Sequence, residues 1–234
     1  NEDDLLIAVE SGGYPHWHKQ IDRGLKMDGL SSDVVRQLGD RIQQAKVKHS
    51  RDPQRIRDDI RKLAEGARAR MNATDRLRAA GQFAAPDLLA TLLDDTSRQL
   101  HPFIMAAMVA IGRPMVDPLS VAIPELEPVT MGQVAQVLAE IGYSKVTPYL
   151  RQVLESETID PDARSVVQSA FDRLAQKSGL PANVAAAELF LTLGQNLYRA
   201  QTQGQILPGF DAASGNGIVW EYSKHAGLVA ISVP

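Results

Sequence analysis

The stretches AAGQFAAPDLLATLL (79–93), AIGRPMVDPLSVAIP (110–124) and EIGYSKVTPYLRQVL (140–154) are three versions of one pattern. Their glycines, Gly81, Gly112 and Gly142, are spaced by 31 and then 30 residues. Before the glycine, apolar residues recur at offsets −8, −5, −4 and −1. In the second copy these are Ile104, Ala107, Met108 and Ile111; in the third they are Val134, Val137, Leu138 and Ile141. The first copy has Ala73, Arg76, Leu77 and Ala80, with one position given to a charge. Such spacing lays one apolar stripe along an α-helix. After the glycine the stripe returns at +7, +8, +11 and +12, as Leu88, Leu89, Leu92 and Leu93 or as Tyr149, Leu150, Val153 and Leu154. The middle copy reads Leu119, Ser120, Ile123 and Pro124, and a proline there predicts an early end to the helix.

The punctuation agrees with the stripes. Glycine closes a last helical turn in the left-handed conformation. Pro86, Pro118 and Pro148 suit a first turn, where the missing N–H is not needed. Each copy therefore reads helix, turn, helix, with two apolar faces that a lone hairpin cannot hide. Neighbouring copies hide them by stacking, and a self-similar period of about 30 residues marks such arrays. The competing reading is an antiparallel bundle with chance similarity.

With the A-x-G turn and the helix-opening proline, as in Ala110-Ile111-Gly112 with Pro118, the chain resembles HEAT-like repeats of the phycobilisome-lyase type over residues 72–193. The resemblance implies an armadillo-like α-solenoid that binds other macromolecules, and it carries no catalytic residues to transfer. The expected fold is mostly α: a solenoid of about four to five helical-hairpin repeats with a small C-terminal β-hairpin. Residues 1–71 are expected to form an N-terminal segment with basic capping helices, 72–201 the repeat array, and 202–234 a loop and a truncated hairpin.

Outside the three copies the pattern loosens. Leu5–Val9 reads as a short turn or strand. The histidines of His16-Trp17-His18 converge on one metal ion only in extended backbone, so a surface or packing role is expected, with Tyr14 and Trp17 plugging one end of the array. Ser31 or Ser32 caps a helix striped by Val35, Leu38, Ile42 and Ala45. Asp52-Pro53 opens another, with Ile56, Ile60, Leu63 and Ala67 inward and Arg55, Arg57, Arg61, Lys62, Arg68 and Arg70 on its other faces. Asp160-Pro161-Asp162 starts a fourth unit, with Val167, Ala170, Phe171 and Leu174 as its stripe and a long second helix over about 181–201 carrying Leu189, Phe190, Leu193, Leu197 and Tyr198. Finally, 218–222 and 228–233 alternate at period 2. Ile218, Trp220 and Tyr222 are expected to share a face with Val229, Ile231 and Val233 across a hairpin. A lone hairpin is marginal in water, so this one is expected to pack on the long helix, or to pair its edge with a strand of a partner, of a second copy or of sequence beyond Pro234.

Composition bounds the function. With 44% apolar and 23% charged residues the chain is ordinary and globular, and a net charge of −3 gives no global attraction to nucleic acid or anionic membrane. The absence of cysteine excludes disulfides and thiolate chemistry. Asn1 in place of Met points to a processed or trimmed N-terminus, so both a cytoplasmic protein and one exported after loss of a signal stay open. Charge is uneven: residues 41–78 hold twelve Lys and Arg against five Asp and Glu, whereas 79–175 hold six against twelve. The basic stretch reads as a solvated face with i,i+4 pairs, as a segment packed beside the acidic repeats, or as a phosphate-binding surface. The alkyl-purine DNA glycosylases are a second HEAT-like family, strongly basic along the concave face, and the acidic repeats here depart from that.

No P-loop, G-x-S-x-G, H-E-x-x-H or EF-hand pattern occurs in the sequence. Asp94-Asp95 and Glu155 with Glu157 are carboxylate pairs at helix ends, where solvation rather than acid–base work is the expectation. No catalytic residue, cofactor or metal ligand is assigned. The expected function is a non-catalytic scaffold for a protein or peptide partner. Its second helices would line the inner curve through Thr91, Asp94, Arg151, Gln152 and Glu155, with self-association through the terminal hairpin as a further option. The alternative is a HEAT-like enzyme or nucleic-acid-binding protein using the basic region.

Overall fold

The computed structural model describes residues 14–27, 29, 31–181 and 183–234, with side-chain detail from Lys19 onward. The readings of Leu5–Val9 and of the Tyr14, His16, Trp17 and His18 side chains lie outside the described residues. The described chain is mostly helical and closes with a three-stranded antiparallel sheet. It divides into two compact units, one ending at Arg55 and one covering Ile56–Pro234.

In the first unit, α1 (Tyr14–Gly24) packs on α2 (Ser32–Ser50), with Ile21 against Gly39. Val35, Ile42 and Ala45 are buried along α2, while Leu38 is partly open. The boundary between the units falls inside α3 (Pro53–Lys62), whose first turn is capped as its sequence predicts: Asp52 Oδ1 accepts the Gln54 N–H at 2.8 Å.

In the second unit, Ile56, Ile60 and Leu63 are buried. The expected continuation of α3 through Ala67 does not form. Gly66, at φ 125° and ψ 171°, breaks the chain, and Ala67 is an exposed first residue of α4 (Ala67–Ala80). The helices of the three copies follow in chain order: α4 and α5 (Ala85–Leu93), α6 (His101–Ile111) and α7 (Val116–Ala122), and α8 (Pro128–Ile141) and α9 (Thr147–Glu155). They are followed by α10 (Pro161–Ser178) and α11 (Ala186–Thr202). The residues at offsets −8 and −4 are buried in all three copies, and those at −5 in the second and third. A short 3-10 turn follows each glycine: Gly81–Ala84, Arg113–Met115 and Ser144–Val146. Gly142 takes the expected left-handed conformation, φ 72° and ψ 27°. Gly112 instead sits at φ 79° and ψ −134°, a region that excludes a Cβ more strongly still.

First helices pack on first helices, α4 on α6, α6 on α8 and α8 on α10. Second helices pack on second helices, α5 on α7, α7 on α9 and α9 on α11. Cations tie successive first helices at their C-termini, where carbonyls lack partners. Arg78 Nε donates to Ala110 O at 2.8 Å, and Lys177 Nζ donates to Gly142 O at 3.3 Å. Pro124 has the predicted effect: α7 stops at Ala122 and a 3-10 turn, Ile123–Glu125, takes over. Arg76, the charged departure from the stripe, forks onto Asp59 of α3, which is only 6% exposed.

The last second helix starts later than expected, at Ala186 rather than near Pro181, because Ala185 is extended at ψ 149°. Of its expected stripe Leu189 is buried and Tyr198 is open to solvent. Beyond α11, β1 (Phe210–Asp211), β2 (Asn216–Ser223) and β3 (Gly227–Val233) form the sheet in that order.

Candidate interaction surface

The second helices carry the residues singled out for binding, and they fall into two groups. At the end of α5, Thr91 Oγ1 donates to the Asp87 carbonyl at 2.7 Å. Asp94 accepts from Thr96 N at 2.9 Å, Thr96 Oγ1 at 2.8 Å and Ser97 Oγ at 2.9 Å. These donors, the Thr96 hydroxyl first, hold its carboxyl below the ordinary 3.8. On α9, Arg151, Gln152 and Glu155 form one patch. Arg151 Nε lies 3.4 Å from Glu155 Oε1, and its guanidinium sits 5.7 Å above the Phe171 ring. Glu155 Oε1 also accepts the Ala186 N–H at 2.9 Å, so it caps α11 from the neighbouring helix. Gln152 is exposed. α7 packs against both α5 and α9, between the two groups.

The C-terminal sheet shares this side. It was expected on the long helix; instead β2 packs on α7 and β3 on α5. Trp220, 5% exposed, donates its indole N–H to Gln82 Oε1 at 2.9 Å and leans on Phe83 with ring centres 6.3 Å apart. Lys224 Nζ reaches Glu127 Oε1 at 3.0 Å, and that hydrogen bond, with the charge of Glu127, raises the ammonium above its ordinary value. Beside the sheet, Lys145 and Asp117 pair at 2.6 Å. Burial, then the Asp117 charge, raises the Tyr149 phenol. Tyr149 in turn stacks edge-on against Phe190 of α11 at 5.0 Å.

The register corrects the expected hairpin face. Trp220 pairs with Ala230, Ile218 with Ser232 and Tyr222 with Leu228. Directly opposed residues share a face, so Val229, Ile231 and Val233 lie on the other one with Val219. That outer face is open: Val219, Val229, Ile231 and Val233 are 37–49% exposed. The sequence did hold a signal for the docking site. Gln82-Phe83 puts an aromatic two residues after Gly81, where the other copies have Pro114 and Ser144, and the third copy's aromatic, Tyr143, sits one residue earlier in its turn.

The basic region makes many of its contacts within the protein. Arg57 pairs with Asp87 at 3.4 Å, Arg61 with Asp58 at 2.9 Å, and Arg78 with Asp75 at 2.9 Å. Arg70 Nε donates to Leu63 O at 2.8 Å and its guanidinium lies 4.1 Å over Phe103. The local pairs run i,i+3 in place of the expected i,i+4, and Arg57 and Arg70 reach residues of α5 and α6. Among the described residues no three His, Cys, Asp or Glu side chains converge as a metal-binding set, and no single helix is long and apolar enough to cross a membrane. Comparison with protein-family models, curated proteins and solved structures finds no match for this chain.

Proposed function

We propose that this chain is a non-catalytic α-solenoid scaffold of HEAT-like repeats that binds a protein or peptide along its second helices. The row α5, α7, α9 and α11, each packed on the next, is the observation that carries the reading. A row of equivalent helices presents a long surface, and repeat proteins use such surfaces to hold extended partners. The sheet covers the α5–α7 part, which leaves the α9–α11 part, with Arg151, Gln152 and Glu155, as the binding patch. Twelve acidic against six basic residues in 79–175 suit a basic peptide.

The test is selection of binders from a displayed peptide library. Gln152→Arg makes the patch of Arg151, Gln152 and Glu155 net positive without touching the Glu155 cap, whereas Gln152→Glu makes it net negative. Selected peptides are expected to be basic, to bind the Arg variant at least about tenfold more weakly and to keep affinity for the Glu variant. Peptides indifferent to both variants would move the binding surface elsewhere. Retention of DNA or RNA on filters at low salt, with library selection failing, would favour the nucleic-acid alternative instead.

A further inference from the structure

The outer edge of β3 has the features of a strand-pairing site. Its seven residues, Gly-Leu-Val-Ala-Ile-Ser-Val, contain no charge and no proline, and they pair with β2 in an unbroken register from Gly227↔Ser223 to Val233↔Gly217. Proteins normally protect a free edge with lysine, proline, a bulge or a covering segment. None of the first three is present in β3, and among the described residues no strand pairs with its outer side. From Val229 to Val233 every residue is exposed, including Ala230 and Ser232 on the face turned toward the helices. Both faces of the strand are therefore open over its last five residues.

We propose that this edge pairs, antiparallel, with the same edge of a second copy of this chain. The sequence of β3 fits itself about Ala230. With a two-fold axis there, Ala230 meets Ala230 of the second copy, the smallest side chain where the strands cross. Val229 meets Ile231 of the second copy, and Ile231 meets its Val229, so both outward contacts join β-branched residues. Leu228 meets Ser232 and Gly227 meets Val233 in the same way. A strand that faces itself places any charge near its own image, and β3 carries none, so no like charges oppose. Size sets the strength. Seven residues span about 23 Å and one strand width is about 5 Å. Such a contact is well below the roughly 800 Å² per partner of a standard interface. A contact this small makes a weak, reversible dimer. This inference does not depend on the scaffold reading, since the sheet edge lies apart from the α9–α11 patch.

Sedimentation equilibrium of the full chain from about 1 to about 500 µM tests it, with two double variants of outward, solvent-exposed residues. Val229→Lys/Ile231→Lys opposes lysines across the axis twice and is expected to weaken the dimer at least about tenfold. Val229→Lys/Ile231→Glu opposes lysine to glutamate twice in this register and is expected to restore association to within about threefold of the parent. Circular dichroism checks that both variants stay folded. A parent chain that is monomeric throughout overturns the proposal. So does a lysine pair that dimerises like the parent, or a folded Lys/Glu variant that stays monomeric. Binding of an unrelated extended peptide to a monomeric parent, abolished by the lysine pair, would assign the edge to a different partner and also overturn it.

Discussion

Arg76→Leu gives α4 the apolar residue that the repeat pattern asks for, and it should nevertheless destabilise the protein. In the native chain Arg76 Nε lies 2.8 and 2.9 Å from the two oxygens of Asp59, and a terminal nitrogen makes a third bond. Asp59 is 6% exposed, and it would lose its cation without gaining water. Breaking a fully buried pair from one side costs about 3–5 kcal/mol. The Arg76 side chain is 47% exposed, so solvent screens the pair and the expectation falls to about 2–3 kcal/mol. For a unit of this size that lowers the melting temperature by about 5–10 °C. Asp59→Leu takes one partner from the half-exposed Arg76, which keeps its access to water, and should cost about 1 kcal/mol. The double variant Asp59→Leu/Arg76→Leu should return to within about 1 kcal/mol of the parent, because leucines then fill both positions. Urea titration followed by far-ultraviolet circular dichroism measures the whole cycle, with an expected coupling of about 2 kcal/mol. A double variant no more stable than Arg76→Leu would refute the reasoning, because the loss would then come from leucine packing and not from a stranded carboxylate.

Trp220→Phe keeps a ring against Phe83 but loses the bond to Gln82, and should cost about 1 kcal/mol. Trp220→Ala should cost about 3–5 kcal/mol, with amide exchange of 216–223 and 227–233 rising well before that of α10. Gly142→Ala should cost about 1 kcal/mol, since the left-handed region is only mildly closed to alanine and the nearest atom to the new Cβ is the mobile Lys177 Nζ. Gly112→Ala should cost about 2 kcal/mol by chemical denaturation, although its nearest neighbour is 3.8 Å away, because its backbone region excludes side chains more strongly. The Asp94 carboxyl should titrate below 3.8 by carbon NMR, and Thr96→Val with Ser97→Ala should return it toward that value. Its folded pKa is depressed, so the stabilising effect of this turn is present above the unfolded value and is lost as pH falls through the lower folded one.

The helices of the three copies were legible because each copy repeats the same local chemistry, and Ile104, Met108, Val134 and Leu138 show it directly: spacing along the chain determined which side was buried. Gly66 was harder, because a single glycine within a run of good helix formers does not say whether the helix bends, breaks or continues. The β-hairpin register was out of reach for another reason. At period 2 a shift of one residue moves every side chain to the other face, and 218–222 and 228–233 are apolar enough on both faces to allow either. Of the surface residues, Gln152 is exposed as expected. The bond from Glu155 to Ala186 joins residues 31 apart and depends on where α11 begins, which no local pattern fixes. The docking of the sheet on Gln82 and Phe83 spans 138 residues, and a pattern that reads one turn at a time does not reach that far.

That span also bears on synthesis. Gln82 leaves the ribosome long before Trp220, and at about 5–20 residues per second the interval is roughly 7–30 s. Helix pairs form in far less time, so α4 to α9 can assemble while the α5–α7 surface is still bare. For those seconds the nascent chain exposes an apolar strip that the finished protein covers, and chaperones that bind such strips have their opportunity then.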